Sequence, residues 1–447
     1  MILFSMLAFQ LAWLAGIWIT GASKDSPKLL VAGGLSILAY LAVLLLRDAV
    51  FEKVGIGISW LANNQITFLR LLAVVMLAVG ILYASQQRVW PFDEVENFRA
   101  SRLIAEEGLN EFFAQYALNN YLANRHPPLI FMINGLALTV FGVDLLTVRI
   151  VTLFFGYGMV AASYFLASHL YGKKTAVLTV LFLSSFPLIV RESTAGLLDV
   201  QATLFFVLTL LLALQLAEKP SLKLGVILGL SLGLGLLTKY MVMFIIPVLF
   251  LFFLFHKNFR AMVVPAILSF SVAGALFLLW TWYGTQIGVR VPSVAGFSPS
   301  DLFASKQVVN SGPPQSGPVI EDIAISPGSF LTTGSGRGFL LNSLLTRLPS
   351  ALGVYSLPLI LIGLIEVIRR KSASDLFLLL WISVVSILLI LTLPDHRYFM
   401  VVFPAVAMIG ARWMEAQSNA DIGRMTLLLL FCQIGSLYIF VDWERMT

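Results

Sequence analysis

Long apolar stretches, each free or nearly free of charged residues, recur along the chain. A helix needs about 20 apolar residues to cross the hydrocarbon core of a bilayer. Thirteen stretches approach this length and predict membrane-spanning helices. They cover 2–20, 29–46, 66–86, 146–169, 175–190, 198–217, 222–238, 240–256, 261–284, 349–366, 376–394, 398–412 and 425–442. No Lys or Arg precedes Lys24, so we interpret the first stretch as a retained span rather than a signal peptide.

A fourteenth apolar stretch, 129–142, has the length typical of a re-entrant or interfacial segment. If it does not cross, the short loops on one side of the membrane hold far more cations than those on the other, as the positive-inside rule expects. The cation-rich loops hold Lys173, Lys174, Lys219, Lys223, Lys257, Arg260, Arg369, Arg370, Lys371, Arg412 and Arg424. The opposite loops hold Arg191, Lys239 and Arg397. We therefore expect 129–142 to be a half-buried helix on the outer side.

This topology divides the chain into four parts and places two long connections outside. Residues 1–65 hold two N-terminal spans, and 66–284 form a transmembrane core whose first outer loop is 87–128. Residues 285–348 form a second outer loop, rich in Pro, Gly and Ser, and 349–447 hold the C-terminal spans. A loop as long as 285–348 is usually functional or disordered. Within 87–128, one apolar helix face predicts an interfacial helix; it carries Phe112, Phe113, Tyr116 and Ala117.

Composition supports a polytopic membrane protein. The chain has 447 residues, of which 59% are hydrophobic and 12% charged, whereas soluble domains are about 25% charged. Intrinsic disorder and a soluble globular class are excluded, and the single cysteine, Cys432, excludes a disulfide framework. The net charge of +6 is interpreted as orientation charge at span ends rather than as a nucleic-acid patch. The fold class predicted is an all-α membrane protein with about 13 spans plus interfacial helices.

Charged residues from five separate connections end on the predicted outer side. They are Asp93 and Glu94, Arg125 and His126, Arg191 with Glu192 and Asp199, Lys239, and Asp395 with His396 and Arg397. Ionisable groups at a membrane are costly unless they are paired or functional. A loop carboxylate can take a proton from a hydroxyl, and a nearby cation can bind a phosphate. Two simpler interpretations of these residues stay open. In the first, the Lys239 side chain extends to the lipid headgroups; in the second, Arg191 and Glu192 form a solvated surface pair.

These residues resemble the GT-C-fold glycosyltransferases that use polyprenyl-phosphate-linked sugars, such as the dolichyl-phosphate-mannose protein mannosyltransferases and the aminoarabinose lipid A transferase. The resemblance rests on segments in a characteristic order, among them FDEVENFRASRLIAEEG, RHPPLIFMINGLALTVFG, LLDVQATLFF, GLLTKYMV and DHRYFMVVFP. It covers 66–260, and 350–412 more loosely. Departures are Asn97, where family members often carry Tyr, and the lack of a MIR-type insertion.

The resemblance implies a role for each matching residue. Asp93 matches the general base that deprotonates the acceptor hydroxyl, and Glu94 is the acid beside it. The remaining matches imply contacts with the donor phosphate or sugar: Arg125, His126, Asp199, Lys239, His396 and Arg397. The implied reaction inverts the anomeric carbon and releases the lipid phosphate.

The implied partners are a polyprenyl-phosphate-linked hexose or pentose donor, an acceptor hydroxyl on a protein, lipid or glycan, and membrane lipid, with no nucleic acid. The chain has neither a GxxxxGK[ST] nor a GxGxxG phosphate-binding motif. This interpretation identifies no certain cofactor and leaves the need for a divalent cation open. If the protein used a divalent cation, Asp93, Glu94 and Asp199 would be its ligands. We expect an integral plasma membrane protein with its site facing the periplasm or cell exterior.

Two other function classes compete with this reading. A transporter or flippase of a lipid-linked or anionic substrate usually shows internal repeats and ionisable groups near the midplane, whereas the interiors of these spans are almost uncharged. A polysaccharide polymerase or ligase would share the donor and differ in using a lipid-linked chain as acceptor.

Overall fold

The computed structural model describes residues 11, 27–86, 92–119, 122, 126–289, 347–392 and 395–443, and all regular structure within these ranges is helical. The helices are α1 (Pro27–Leu45), α2 (Asp48–Asn63), α3 (Gln65–Gln86), α4 (Asp93–Glu107), α5 (Leu109–Tyr116), α6 (Leu129–Phe141), α7 (Leu145–Tyr171), α8 (Lys173–Ser184), α9 (Pro187–Thr194), α10 (Asp199–Glu218), α11 (Leu222–Thr238), α12 (Ile245–Phe255), α13 (Phe259–Gln286), α14 (Leu348–Leu352), α15 (Leu357–Arg370), α16 (Ala373–Thr392), α17 (Phe403–Glu415) and α18 (Asn419–Trp443). Short 3₁₀ turns cover Tyr240–Phe244, Val354–Ser356 and Tyr398–Val402.

The all-α membrane architecture is confirmed. Among the described residues, six helices are long and apolar enough to cross a membrane, or seven if the bent pair α8–α9 forms one span. Helices or helix pairs correspond to twelve of the predicted stretches, from 29–46 onward. Apart from residue 11, the predicted span 2–20 lies outside the described residues, and so does nearly all of the 285–348 loop. Helix α6 has 13 residues, a length of about 20 Å, which is too short to cross the bilayer core.

Three elements differ from the sequence prediction. The expected span 175–190 is bent by 73° between α8 and α9, because Pro187 starts a new helix at its first turn and lacks the N–H that would continue α8. The expected span 349–366 is broken into α14, a 3₁₀ turn and α15. Helix α2 was not predicted; its apolar positions Phe51 and Ile58 are buried, and it packs against α18.

The glycine face of α11 lies in close contact with α13. A Cβ at Gly225 would lie 2.6 Å from the carbonyl oxygen of Pro265, and one at Gly229 would lie 2.5 Å from that of Ser269. Helices α11 and α13 therefore pack backbone to backbone. This contact fixes α11, whose C-terminal end carries Lys239.

A small apolar cluster joins the first outer connection to the end of α13. Phe112 and Tyr116 of α5, Phe131 of α6 and Trp280 of α13 are buried in it. The Trp280 Nε1 also donates to the Tyr240 hydroxyl at 3.1 Å. Helices α4 to α6 are thereby held over the ends of α11 and α13, next to Lys239.

Candidate active site

Four of the predicted site residues lie at helix boundaries that the fold brings together. Asp93 is the first residue of α4, and Asp199 is the first residue of α10. Lys239 separates α11 from the 3₁₀ turn that follows it, and Arg397 directly precedes the 3₁₀ turn before α17. Polar side chains at helix ends can meet at the bundle surface while the helix interiors remain apolar.

Asp93 and Arg397 form an ion pair. Nη1 of Arg397 lies 2.7 Å from Oδ2 of Asp93, and the two side chains are 17% and 24% exposed, respectively. The hydrogen bond from Arg397 goes to Oδ2, so Oδ1 takes no part in this pair. One carboxylate oxygen is therefore fixed by the guanidinium, and the other can accept a proton from a substrate hydroxyl.

Lys239 and Asp199 form a second, more deeply buried ion pair. Nζ of Lys239 lies 2.6 Å from Oδ1 of Asp199 and 4.7 Å from the centre of the Tyr398 ring. Burial alone would lower the pKa of Lys239, but the Asp199 carboxylate and Tyr398 raise that pKa above its usual value. The lysine therefore carries its charge inside the protein and does not extend to the headgroups.

Arg397 links the two ion pairs. Burial would lower its pKa, but the surrounding carboxylates hold the pKa well above its usual value. The carboxylates that act on the guanidinium are Asp395, Asp199, Glu192 and Asp93. A guanidinium in such surroundings stays charged, so Arg397 is the central cation of the cluster.

Asp395 and His396 lie on the same connection as Arg397. Nδ1 of His396 is 2.9 Å from Oδ1 of Asp395, and Oδ1 accepts the backbone N–H of Arg397 at 3.0 Å. Burial lowers the pKa of His396, and the charges of Arg191 and Arg397 lower it further, against the effect of Asp395. Burial would raise the pKa of Asp395, but His396 and Arg397 hold it well below its usual range.

Glu94 forms a bidentate pair with Arg149. Nε and Nη2 of Arg149 each donate to a Glu94 oxygen at 2.8 Å, and Nη1 donates to the carbonyl of Ala84. Oε1 of Glu94 also accepts the backbone N–H of Gly196 at 2.7 Å. Glu94 is fully buried, so the structure places it as an anchor for the start of α4 rather than within reach of a substrate.

The expectation that Arg191 and Glu192 form a solvated surface pair is wrong. Both side chains are buried, at 4% and 0% exposure, because the bend before Pro187 turns α9 back into the bundle. Nε of Arg191 donates to Oε1 of Glu192 at 3.1 Å. Glu192 lies close enough to Asp199 and Arg397 to interact with their charges. The pair is visible in the sequence, but the bend that buries it is not.

His126 lies in the outer apolar cluster. The Tyr116 hydroxyl donates to its backbone carbonyl, and its ring stands edge-on to Phe131 at 6.4 Å. Arg125 lies outside the described residues, so its role stays a prediction.

The described residues contain no group of three or more His, Cys, Asp or Glu side chains arranged to hold a metal ion. The three carboxylates named as candidate metal ligands each pair with a different cation: Asp93 with Arg397, Glu94 with Arg149 and Asp199 with Lys239. Within this part of the chain the arrangement suits anion binding and proton transfer better than metal coordination.

One protein family matches part of the chain. Residues 125–283 fit the model of the dolichyl-phosphate-mannose-protein mannosyltransferase family. The matched segment contains His126, Asp199 and Lys239; Asp93 precedes it and Arg397 follows it. A search of curated protein sequences finds no match.

Solved structures share the fold at low sequence identity. ArnT from Cupriavidus metallidurans bound to undecaprenyl phosphate has a TM-score of 0.59 at 15% identity, over 81% of this chain and 62% of that one. The oligosaccharyltransferase of Archaeoglobus fulgidus, in complex with Zn and sulfate, has a TM-score of 0.52 at 14% identity, over 81% of this chain and 53% of that one. This chain thus spans less than two thirds of either structure. The family match and the shared fold confirm the resemblance found in the sequence, to the GT-C-fold glycosyltransferases that use polyprenyl-phosphate-linked sugars.

Proposed function

We propose that this protein is a membrane glycosyltransferase that moves a sugar from a polyprenyl-phosphate carrier to an acceptor hydroxyl. The observation that carries the proposal is the Asp93–Arg397 pair beside the buried Lys239–Asp199 pair. It lies in a fold shared with ArnT, whose structure is solved with undecaprenyl phosphate. This reaction needs a general base, two cations that bind a phosphate, and a site at the membrane.

Arg397 and Lys239 bind the donor phosphate. A guanidinium has five N–H donors and an ammonium has three, so each can contact a phosphate oxygen while keeping its carboxylate partner. Because both are buried in low-dielectric surroundings, their attraction for an anion is stronger than it would be in water. The carboxylate partners keep both cations charged and in place before the donor arrives.

Asp93 is the general base. The acceptor oxygen attacks the anomeric carbon, and its proton passes to Oδ1 of Asp93. The bond between the anomeric carbon and the phosphate oxygen breaks, and the electron pair stays on the departing polyprenyl phosphate. Direct displacement with a single base inverts the anomeric carbon, and it needs no second carboxylate as acid because phosphate is a good leaving group.

The reaction takes place at the outer face of the plasma membrane. The distribution of Lys and Arg between the short loops supports this orientation, and Asp93 opens a connection on the cation-poor side. The acceptor is a hydroxyl on a protein, lipid or glycan at that surface. Glu94, with Arg149, acts by fixing the start of α4 and with it Asp93.

The test follows sugar release from a panel of polyprenyl-phosphate sugars by purified protein in nanodiscs, with membrane extract as acceptor source. Asp93→Asn should lower turnover at least about 100-fold, the usual contribution of a general base. Glu106→Gln serves as control, because Glu106 lies on the same helix in an exposed pair with Arg102. Normal turnover by Asp93→Asn would refute the base assignment. Donors that bind to the wild type without being turned over would favour lipid flipping instead.

A further inference from the structure

A fully buried carboxylate, Glu192, lies beside the candidate active site and has no role in the reaction as proposed. It sits near the end of α9, the helix that begins after the 73° bend. The Tyr355 hydroxyl donates to the carbonyl of Ser185 at 2.5 Å and braces this bend. The position of Glu192 is therefore determined by the packing of the bundle rather than by solvent.

Glu192 is only partly neutralised by its neighbour. Its Oε1 accepts from Nε of Arg191 at 3.1 Å and also from Nη2, while Oε2 has no hydrogen-bond partner in the part of the chain that the structure describes. A buried carboxylate oxygen without a partner is costly. If Glu192 served only to hold Arg191, both of its oxygens would be expected to accept hydrogen bonds. Both oxygens of Glu94 do so from Arg149.

The charges that surround Arg397 do not balance. The carboxylates of the cluster are Asp93, Glu192, Asp199 and Asp395, and its cations are Arg191, Lys239 and Arg397. His396 is neutral near pH 7 because burial lowers its pKa. At their formal charges, four carboxylates and three cations give the cluster one net negative charge. Glu192 is the carboxylate that is neither exposed nor paired with a phosphate-binding cation.

Sugar transfer changes the charge of the phosphate that this cluster holds. In the donor the phosphate is a diester and carries one negative charge. In the product it is a monoester, whose charge at pH 7 is about −1.5 to −2. Any fixed negative charge near the phosphate therefore repels the product more strongly than the donor.

Building on the proposed function, we propose that Glu192 promotes release of the polyprenyl phosphate product by placing a buried carboxylate within electrostatic reach of Arg397. Glu192 is not a catalytic residue, since it acts through the charge balance at Arg397. Its charge lowers the affinity of the cluster for a phosphate, and it does so more strongly for the more highly charged product, which therefore dissociates.

The test compares the inhibition constant of polyprenyl phosphate with the KM of the sugar-charged donor. Glu192→Gln keeps the size of the side chain and removes its charge. We expect the inhibition constant to fall about tenfold and the donor KM to fall about threefold, in proportion to the charges of the two lipids. Glu192→Asp keeps the charge and should leave the ratio of the two constants close to that of the wild type.

Two further variants separate charge from folding. Glu111→Gln removes a partly exposed carboxylate of the same connection as Asp93, one that accepts a hydrogen bond from Gln115 on its own helix, and should change neither constant. The double variant Arg191→Gln, Glu192→Gln removes one charge of each sign, so its product inhibition should stay close to the wild type even if the single variant does not fold.

Three results would overturn the inference. The first is an unchanged inhibition constant in Glu192→Gln, and the second is an equal fall in the inhibition constant and the donor KM. The third is tighter product inhibition in the double variant. Each would show that charge at Glu192 does not govern product release. Each of these measurements requires a wild-type protein that turns over the donor. A wild type without turnover would count against the proposed function itself.

Discussion

Nη1 of Arg397 lies 2.7 Å from Oδ2 of Asp93, although 304 positions separate the two residues in the chain. The contact joins the first outer helix to the connection that precedes α17. Local sequence patterns cannot predict this contact. The contact brings the two parts of the candidate active site together.

Arg397→Lys should lower kcat about tenfold or more while the protein stays folded. A lysine ammonium is a point charge and cannot hold Asp93 and Asp395 together with the planar geometry of a guanidinium. The measurement is donor turnover at saturating donor. Arg412→Lys is the matched control, because Arg412 lies in the last turn of α17 and pairs with Glu415; equal losses in the two variants would contradict a role specific to Arg397.

Arg149→Met should destabilise the protein by about 3–5 kcal/mol, because it leaves the buried Glu94 carboxylate without its cation. Adding Glu94→Leu should recover part of the loss, since the buried charge is then gone. Thermal unfolding in detergent measures both. Glu96→Gln, which removes a partner of the exposed Arg99, should cost no more than about 1 kcal/mol. Similar costs for the two pairs would contradict the anchoring role.

Lys239→Gln should raise the donor KM about tenfold, because it removes one of the two cations that we propose bind the phosphate. Lys223→Gln, at the exposed start of the same helix, should leave KM unchanged. If the Lys239 variant matched the wild type in both KM and kcat, donor binding would have to be assigned to other residues.

Stability should fall as the pH is lowered from about 8 to 5.5, in part because of His396. Burial lowers the pKa of His396 in the folded protein, so its contribution is fully present above the unfolded pKa near 6.5 and is lost as the pH falls through the folded pKa. His396→Asn should flatten the dependence of Tm on pH. The Asp395 carboxylate stays ionised throughout this range, because His396 and Arg397 hold its pKa well below the usual value. An unchanged slope in the variant would show that His396 does not titrate in this way.

Gly55→Ala should destabilise the pairing of α2 with α18 by about 1–3 kcal/mol. A Cβ at Gly55 would lie 2.0 Å from the carbonyl oxygen of Asn419, so the helices must move apart. Gly57 lies on the same helix and has open space around its Cβ position. Gly57→Ala should therefore be neutral or stabilising by up to about 1 kcal/mol. Equal Tm values for the two variants would contradict the close contact.

The sequence was enough to predict most spans and to select Asp93, Asp199, Lys239 and Arg397 as candidate site residues, because apolar length and charge position are local properties. It did not predict which of these residues pair. It did not predict α2, whose 16 residues include Asp48, Glu52 and Lys53 and read as a polar connection. It also misjudged Arg191 and Glu192, because their burial depends on a bend and on helices distant in the chain. The partner of Glu94 was missed for the same reason: Arg149 reads as a cation near a span end, and its pairing is a long-range contact.

The packing of α2 against α18 has a consequence for biogenesis. More than 350 residues separate Asn63 from Asn419, so at about 5–20 residues per second a ribosome needs roughly 20–70 s to supply the partner of α2. Gly55 has no packing partner on α18 during that interval. Asp93 is synthesised 304 positions before Arg397. A nascent chain therefore lacks the Asp93–Arg397 pair during most of its insertion, and the candidate active site is complete only when the connection before α17 has been synthesised and docked.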